Sequence, residues 1–304
     1  MGFDERPAAR HLRLAWATLF VLLALAQGCT RNPADDASDS GEKRYPLTGQ
    51  VLAVDPVHRQ LTASHDAVAG LMPAMVMEFP VSAGDAAAAK PGERIRAELV
   101  IDSAGAGRLE KIWPDDKVAK DTVAAGALML RQDTHERGGG AYREIGEDVP
   151  DFALYDQDGR VVQSGHFRGQ QVMLNFIYTR CPIANMCPAS TAKMMMTQRM
   201  AREAGIRNIQ FVTITLDPAY DTPGVLREYA DQRGIDTSNF SFLTGPEGAI
   251  RDLLTQFGVI AEFEGGVLKH TLATLLIDER GRITWRADGS SWEPKEFVAR
   301  MRKT

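Results

Sequence analysis

Residues 172–190 read VMLNFIYTRCPIANMCPAS, and this stretch decides the fold of the second half of the chain. Its first seven residues, 172–178, form a continuous apolar run, which predicts a strand that is buried on both faces. A helix is predicted over residues 188–204, where apolar side chains recur four residues apart. Cys181 and Cys187 lie between these elements. Because the backbone N–H groups and the dipole at a helix start favour a thiolate, we expect a reactive pair of thiols here.

Alternating strands and helices continue after this stretch. The pattern predicts a strand at residues 211–216, a helix from 223 to about 232, a hairpin formed by 272–277 and 282–286, and a closing helix at 293–302. Strand, helix, strand, helix, hairpin and helix is the order of elements in thioredoxin-like α/β domains. We therefore predict a domain of this class over residues 144–304.

Residues 45–113 have a different pattern, in which short alternating segments are separated by turn signals. Five strands are predicted, at residues 47–54, 60–64, 75–79, 95–101 and 108–113. Asp-Pro, Pro-Gly and Gly-Ala-Gly sequences mark turns between them. The chain is therefore predicted to be multi-domain, with a small all-β, OB-like barrel before the α/β domain. Residues 114–143 mix charges, alanines and glycines, which we interpret as a linker with one short helical piece.

The first 29 residues have the features of an export signal. Three arginines precede an uncharged run over residues 14–26, which ends in small residues before Cys29. Residues 25–29, LAQGC, resemble the lipobox of bacterial lipoproteins, which predicts lipid attachment at Cys29; an ordinary secretory signal and an uncleaved anchor are the alternatives. All three place the remainder outside the cytoplasm, and we expect a lipid-anchored protein on the periplasmic side of a bacterial membrane. The polar residues 30–44 are predicted to form a tether.

Composition excludes one class of partner. The 304 residues include 35 Lys and Arg against 40 Asp and Glu, which gives a formal net charge of −5. The sequence contains no block of like charges that would contact a phosphate backbone. We therefore expect no nucleic-acid partner.

Three motifs in the second half resemble the Sco (SenC) family of copper proteins. They are NFIYTRCP at residues 175–182 with CP at 187–188, TLDPAYDTP at 215–223, and KHT at 269–271. The resemblance implies a copper site made by Cys181, Cys187 and His270, with Asp217 as a supporting acidic residue near the metal loop. Cu(I) is soft and prefers thiolates, and an added imidazole lets such a site accept Cu(II) as well. The sequence departs from the usual Sco pattern because five residues, rather than three, separate the cysteines.

Two other interpretations of the cysteine pair remain open. Cys181 and Cys187 form a structural disulfide across a short loop, or they act in a membrane-anchored thiol–disulfide oxidoreductase with Cys181 as the nucleophile. Such enzymes generally place two residues between their cysteines and a cis-proline opposite them. The sequence has no proline between Gly265 and Glu279. This favours metal binding over dithiol exchange.

A second cluster of soft ligands occurs in the first domain, where residues 65–79 read HDAVAGLMPAMVMEF. Met75 and Met77 are two residues apart, so on a strand both point to one face, while His65 and Met72 close a site from the preceding segment. Thioethers with an imidazole select Cu(I) or Ag(I). The segment resembles CusF-like periplasmic copper-binding domains, which carry a histidine and the motif Met-Pro-Ala-Met-x-Met. The alternative is that the two methionines line a barrel core.

Both halves of the chain therefore point to thiophilic copper as the bound metal. The Sco resemblance implies a copper-binding metallochaperone whose partner is a copper-receiving protein, such as a haem–copper oxidase subunit. The first domain then captures copper for the second or stores it. The alternatives from other classes are the thiol–disulfide oxidoreductase and a sensor whose partner reads the thiol state.

Overall fold

The computed structural model describes residues 41–138, 140–264 and 267–302. The predicted export signal, Cys29 and most of the predicted tether lie outside these residues. From Glu42 onward the chain forms one compact unit that contains two large β-sheets. Among the helices of the described ranges, none is both long and apolar enough to cross a membrane.

The first sheet is antiparallel and confirms the predicted all-β first domain. Its elements are β1 (Lys43–Asp55), β2 (Gln60–His65), β3 (Met75–Pro80), the short helix α1 (Ala83–Ala88), β4 (Arg94–Ile101) and β5 (Gly107–Pro114). The strand order is β3-β2-β1-β4-β5, so within the described chain β3 and β5 are the two edges of the ladder. Alternate residues of β2 are buried, which is the pattern of a sheet with one face on a core. β1 begins inside the predicted tether because Lys43 and Arg44 already pair with β4.

The segment that follows β5 differs from the expected linker with one short helical piece. It forms α2 (Lys117–Arg137), a helix of 21 residues whose N-terminus is capped by the Asp116 side chain, which accepts from the backbone N–H of Ala119. Val123 and Leu130 are its buried residues. The length of this helix is hard to predict because only two of its residues are buried, and because a glycine lies in its middle. That glycine, Gly126, is needed for close packing, since a Cβ atom there would lie 2.7 Å from the Cβ of Ala153.

The second sheet confirms the predicted thioredoxin-like α/β fold. Its elements are β6 (Ala153–Asp156), β7 (Val161–Gln163), β8 (Gln171–Ile177), α3 (Cys187–Glu203), β9 (Ile209–Thr215), α4 (Pro223–Gln232), β10 (Phe240–Thr244), α5 (Glu247–Gln256), the hairpin β11 (Ala261–Glu264) and β12 (Val267–His270), β13 (Ala273–Ile277), β14 (Ile283–Asp288) and α6 (Pro294–Val298). The strand order is β14-β13-β8-β9-β10-β6-β7. β8, β9 and β10 are parallel, and every residue of β8 is buried, as its apolar run predicts. β10 and α5 were not among the predicted elements.

The two sheets are joined by a contact between α1 and α4 in which two glycines face each other. A Cβ atom built on Gly84 would lie 1.9 Å from the carbonyl oxygen of Gly224, so only glycine permits this approach. The backbone N–H of Gly84 also donates to the Glu228 carboxylate at 3.3 Å. These contacts position α4, and the loop that precedes it, relative to the first domain.

Asp85 is buried in this contact, and burial raises its pKa to about 6. A hydrogen bond from the Ser82 hydroxyl at 2.7 Å lowers the pKa of Asp85, whereas the neighbouring carboxylates of Glu228 and Glu110 raise it. Because the folded-state pKa lies above the ordinary value of 3.8, the protonated form of Asp85 favours the folded state. This contribution is complete below pH 3.8 and is lost as the pH rises through 6.

We therefore expect Asp85→Asn to stabilise the protein at pH 7 by about 2 kcal/mol and to have little effect near pH 4. An amide remains neutral and still accepts from Ser82, so the variant avoids the cost of a buried charge. Urea unfolding of parent and variant at several pH values measures the difference, with the exposed Asp121→Asn as the matched control. A difference that does not change between pH 4 and pH 7 would contradict this account.

Candidate metal centre

Three elements bring together the three side chains predicted to bind metal in the second domain. Cys181 lies in the loop that follows β8, Cys187 is the first residue of α3, and His270 is the last residue of β12. The imidazole Nε2 of His270 lies 3.4 Å from the Sγ of Cys187 and 3.9 Å from the Sγ of Cys181. The three possible ligand atoms all lie within 4.8 Å of one another. This geometry allows one small ion to contact two sulfurs and one nitrogen.

The orientation of the His270 ring leaves Nε2 available as a donor to metal. Its Nδ1 lies 3.0 Å from the backbone carbonyl oxygen of Thr271. Since a carbonyl only accepts, Nδ1 carries the proton and Nε2 carries the lone pair. Burial lowers the pKa of His270, against the effect of the Thr271 hydrogen bond, so the neutral, metal-binding form is favoured. The ring also packs edge-on against Tyr178, with the ring centroids 5.3 Å apart.

The loop and the hairpin that carry these ligands are fixed by hydrogen bonds. At the base of the β11–β12 hairpin, the backbone N–H of Ile260 donates to the Thr271 hydroxyl at 3.0 Å, and the backbone N–H of Thr271 donates to the Ile260 carbonyl oxygen at 2.9 Å. The hydroxyl of Tyr178 donates to the carbonyl oxygen of Leu268 at 3.4 Å, which ties the end of β8 to β12. The histidine is therefore held against the cysteine loop although 83 residues separate it from Cys187.

The two cysteines are both free thiols, but they differ in burial. Cys187 is fully buried, whereas Cys181 has 9% of its surface exposed. Burial raises the pKa of the Cys187 thiol well above its ordinary value, and the proximity of Cys181 raises it further. For Cys187 burial therefore outweighs the helix-start effect expected from the sequence. A soft cation between the sulfurs would compensate the buried negative charge, so the donor set fits a thiophilic metal.

Asp217 does not belong to the cluster of three ligands, but it supports the loop that carries Cys181. It is buried, and its carboxylate binds the guanidinium of Arg180 at 2.6 Å. The same guanidinium lies over the Tyr220 ring, 3.9 Å from the ring centroid. The residue before Cys181 is thus fixed by an ion pair and an aromatic ring. The ion pair places Asp217 next to the residue that precedes Cys181, and its supporting role at the site stays a prediction.

Asp221 is a second buried acid beneath this loop, and the sequence analysis did not single it out. It accepts hydrogen bonds from the backbone N–H and the hydroxyl of Thr179, and from the hydroxyl of Thr215 at 2.6 Å. Burial raises its pKa to about 6, although these hydrogen bonds lower it. Asp221 is part of the motif at residues 215–223, but the motif alone does not distinguish a buried hydrogen-bond acceptor from an exposed turn residue.

The first domain places its predicted ligands on one face of the first sheet. Across the β2–β3 ladder, His65 is directly opposite Met75, and Ala63 is opposite Met77, so His65, Met75 and Met77 share a face. An isolated bridge between Val68 and Met72 folds the intervening loop back on itself. Met75 is 46% exposed and Met77 is partly buried. This face therefore carries both an exposed thioether, that of Met75, and a buried imidazole, that of His65.

One ring nitrogen of His65 has no hydrogen-bond partner among the described residues. This nitrogen shows whether the residues of the first domain fit a metal ion. The Nδ1 of His65 lies 2.7 Å from the Asp66 carbonyl oxygen and therefore donates the proton, whereas its Nε2 is buried and has no hydrogen-bond partner among the described residues. A buried polar atom without a partner is costly. A soft ion held by His65 and the methionines would remove this cost, so the residues present fit Cu(I) or Ag(I).

Comparison with known proteins identifies the second domain. Residues 141–304 match the family model for SCO1/SenC. The chain belongs to the SCO1/SenC family. Residues 44–114 of this SCO1/SenC protein match a second family model, described as copper binding periplasmic protein CusF. Both resemblances stated from the sequence motifs are therefore confirmed.

Relatives of this SCO1/SenC protein include SCO2-like proteins from two bacteria. The protein from Rickettsia conorii is 32% identical over 183 residues, which cover 57% of this chain and 81% of that protein. The protein from Rickettsia felis is 31% identical over 183 residues, with the same coverage of both chains. Among solved structures, a SCO1/SenC family lipoprotein from Bacillus anthracis is similar, with 26% identity and a TM-score of 0.47 over 52% of this chain and 96% of that chain.

Proposed function

We propose that this SCO1/SenC-family protein is an exported metallochaperone that binds Cu(I) and transfers it to a copper-receiving protein. The observation that carries the proposal is the convergence of Cys181, Cys187 and His270, whose ligand atoms lie within 4.8 Å of one another. Two thiolates and a neutral imidazole form a donor set for Cu(I) that also accepts Cu(II). Membership of the SCO1/SenC family supports a haem–copper oxidase subunit as the recipient.

The unequal burial of the ligands suits transfer rather than permanent storage. Cys187 is fully buried, whereas Cys181 is 9% exposed and His270 is only partly buried. An incoming donor from a recipient protein can therefore reach the ion from the Cys181–His270 side while Cys187 still holds it. Ligand exchange of this kind needs three or fewer firm protein ligands, because a closed four-ligand site leaves no position for the recipient.

The first domain provides a second copper site in this proposal. His65, Met75 and Met77 share one face of the sheet, with Met72 in the adjoining loop, and the match to the CusF family model supports copper as their ligand. The partial exposure of Met75 and Met77 argues against the alternative in which they only line a core. Neutral thioethers bind Cu(I) less firmly than thiolates, so this domain would collect copper and the cysteine site would receive it.

The location of the protein is part of the same proposal. The apolar run over residues 14–26 and the lipobox-like residues 25–29 support export and lipid attachment at Cys29, on the periplasmic side of the membrane. In that compartment Cys181 and Cys187 require protection from oxidation, which a bound Cu(I) ion supplies. Mass spectrometry of the mature N-terminus distinguishes a lipidated Cys29 from an unmodified terminus at another position.

Titration of the reduced protein with Cu(I) against a coloured chelator tests the proposal. We expect two copper ions per chain, because the two donor sets are separate in sequence and chemically complete. The double variant Met75→Leu with Met77→Leu should bind one ion, and Cys181→Ser with Cys187→Ser should also bind one. Leucine replacement of the exposed Met129 and Met196 is the matched control and should leave two. If both double variants still bind the parental number of ions, neither proposed site holds copper.

A further inference from the structure

The segment between the two cysteines carries a methionine directly before Cys187. The backbone N–H of Met186 donates to the Ile183 carbonyl oxygen at 3.0 Å, which closes a turn before α3 begins. Met186 is partly buried and packs against the core residues of the second domain. The last residue of the five-residue segment therefore carries a thioether and is the direct sequence neighbour of the ligand Cys187.

Met186 and His270 line the same cleft. The cleft has a volume of about 450 Å³, and Tyr142, Thr271, Leu272 and Ser290 form further parts of its wall. His270 is only partly buried, so the cleft gives access to the imidazole ligand. The residue that carries the thioether and the residue that carries the imidazole therefore border one space.

The cysteine loop is fixed on the side of the cleft. The hydroxyl of Ser290 donates to the carbonyl oxygen of Asn185 at 2.6 Å, one residue before Met186. The ammonium group of Lys193 on α3 binds the carbonyl oxygens of Ser290 and Trp292 at 2.8 and 2.6 Å. These bonds join the loop, the helix start and the segment after β14. The backbone of Met186 is thus anchored, and its side chain, which has three rotatable bonds, can change rotamer to reach an ion.

We propose that Met186 supplies a fourth, thioether donor to Cu(I) in the Cys181–Cys187–His270 site, an inference that rests on the proposed copper function. A thioether is soft and neutral, so it adds a donor without adding charge to a site that already contains two thiolates. It is also the weakest of the four donors, and Met186 lines the cleft that gives access to His270. An incoming ligand from a recipient protein would therefore displace Met186 first.

The test compares Met186→Leu with the parent protein in the Met75→Leu/Met77→Leu background, so that only the second-domain site binds Cu(I). We expect the Cu(I) affinity, measured against a chelator, to fall about tenfold. X-ray absorption at the copper edge should show one sulfur ligand fewer in the variant. Leucine has nearly the volume of methionine, so thermal unfolding of the copper-free forms should be unchanged.

Met195→Leu is the matched control, because Met195 packs against the same core from α3 and should alter neither the affinity nor the ligand count. Parental affinity and an unchanged sulfur count in Met186→Leu would overturn the role of Met186. In that case, loss of Cu(I) from Cys181→Ser/Cys187→Ser in the same background would still support the proposed function. If the cysteine variant also binds like the parent, the copper function of this domain fails together with the inference.

Discussion

His270→Ala should lower the Cu(I) affinity of the second-domain site by more than about a hundredfold, which is beyond the range expected when only a residue behind the ligands is changed. The imidazole Nε2 lies 3.4 and 3.9 Å from the two sulfurs, and these are its hydrogen-bonding contacts among the described residues. Its loss removes the nitrogen donor of the site and leaves the sulfur donors next to an empty position. Competition with a Cu(I) chelator in the Met75→Leu/Met77→Leu background measures the change.

The same variant separates a copper chaperone from a thiol–disulfide oxidoreductase. Dithiol exchange needs the two sulfurs, so His270→Ala should leave the rate of disulfide reduction nearly unchanged. The exposed His166→Ala, in the same domain, is the matched control and should affect neither property. If His270→Ala binds copper like the parent, and the parent reduces a partner disulfide with turnover, the chaperone function is wrong for this protein. Burial of Cys187, which disfavours its thiolate, argues against that outcome.

The three residues that meet in the candidate metal centre were expected from the sequence because three motifs resemble the Sco family, and two strands with strong signals explain why these residues lie close together. The apolar run of β8 fixes where the cysteine loop begins, and the late hairpin strand β13 fixes where His270 ends the preceding segment. In a thioredoxin-like sheet β8 and β13 are antiparallel neighbours, so the end of β8 lies beside the start of β13. The period of two along β3 likewise predicts that Met75 and Met77 share a face.

Other features depend on contacts between distant segments and leave little trace in the local pattern. The helix α2 has only two buried residues among 21, so its apolar periodicity is too weak to predict its length. Asp217 and Asp221 occur in one short motif, and they differ in their contacts. Asp217 binds the side chain of Arg180, whereas Asp221 accepts from Thr179. Met186 gives no local signal because its shared cleft with His270 depends on where β12 lies relative to the cysteine loop.

The contact between Gly84 and Gly224 is the feature that sequence reasoning was least able to predict. Small residues at two positions 140 residues apart give no periodic signal, and each glycine alone resembles an ordinary turn or helix-start residue. The contact nevertheless has consequences for the metal centre. α4 begins directly after the loop that holds Asp217 and Asp221, and these acids fix Arg180 and Thr179 beside Cys181.

Gly84→Ala should therefore destabilise the protein by about 2 kcal/mol or more, near the upper end of the range for overpacking. The added methyl group would lie 1.9 Å from the carbonyl oxygen of Gly224, which is a backbone atom and cannot rotate away. The two helices would have to separate, which would expose Asp85 and weaken the junction between the two sheets. Calorimetric unfolding of the reduced, copper-free protein measures the loss, and faster cleavage of the variant by limited proteolysis would report the weakened junction.

Gly248→Ala is the matched control for this experiment. Gly248 also lies near the start of a helix, α5, but a Cβ atom there would meet no other atom within 4 Å. Since alanine has the higher helix propensity and restricts the unfolded chain, this control should be neutral or slightly stabilising. A Gly84→Ala protein that unfolds at the parental temperature would mean that α1 and α4 are not in close contact in solution. The position of the cysteine loop would then depend on the second domain alone. Asp217 and Asp221 would hold the loop without any contribution from the first domain.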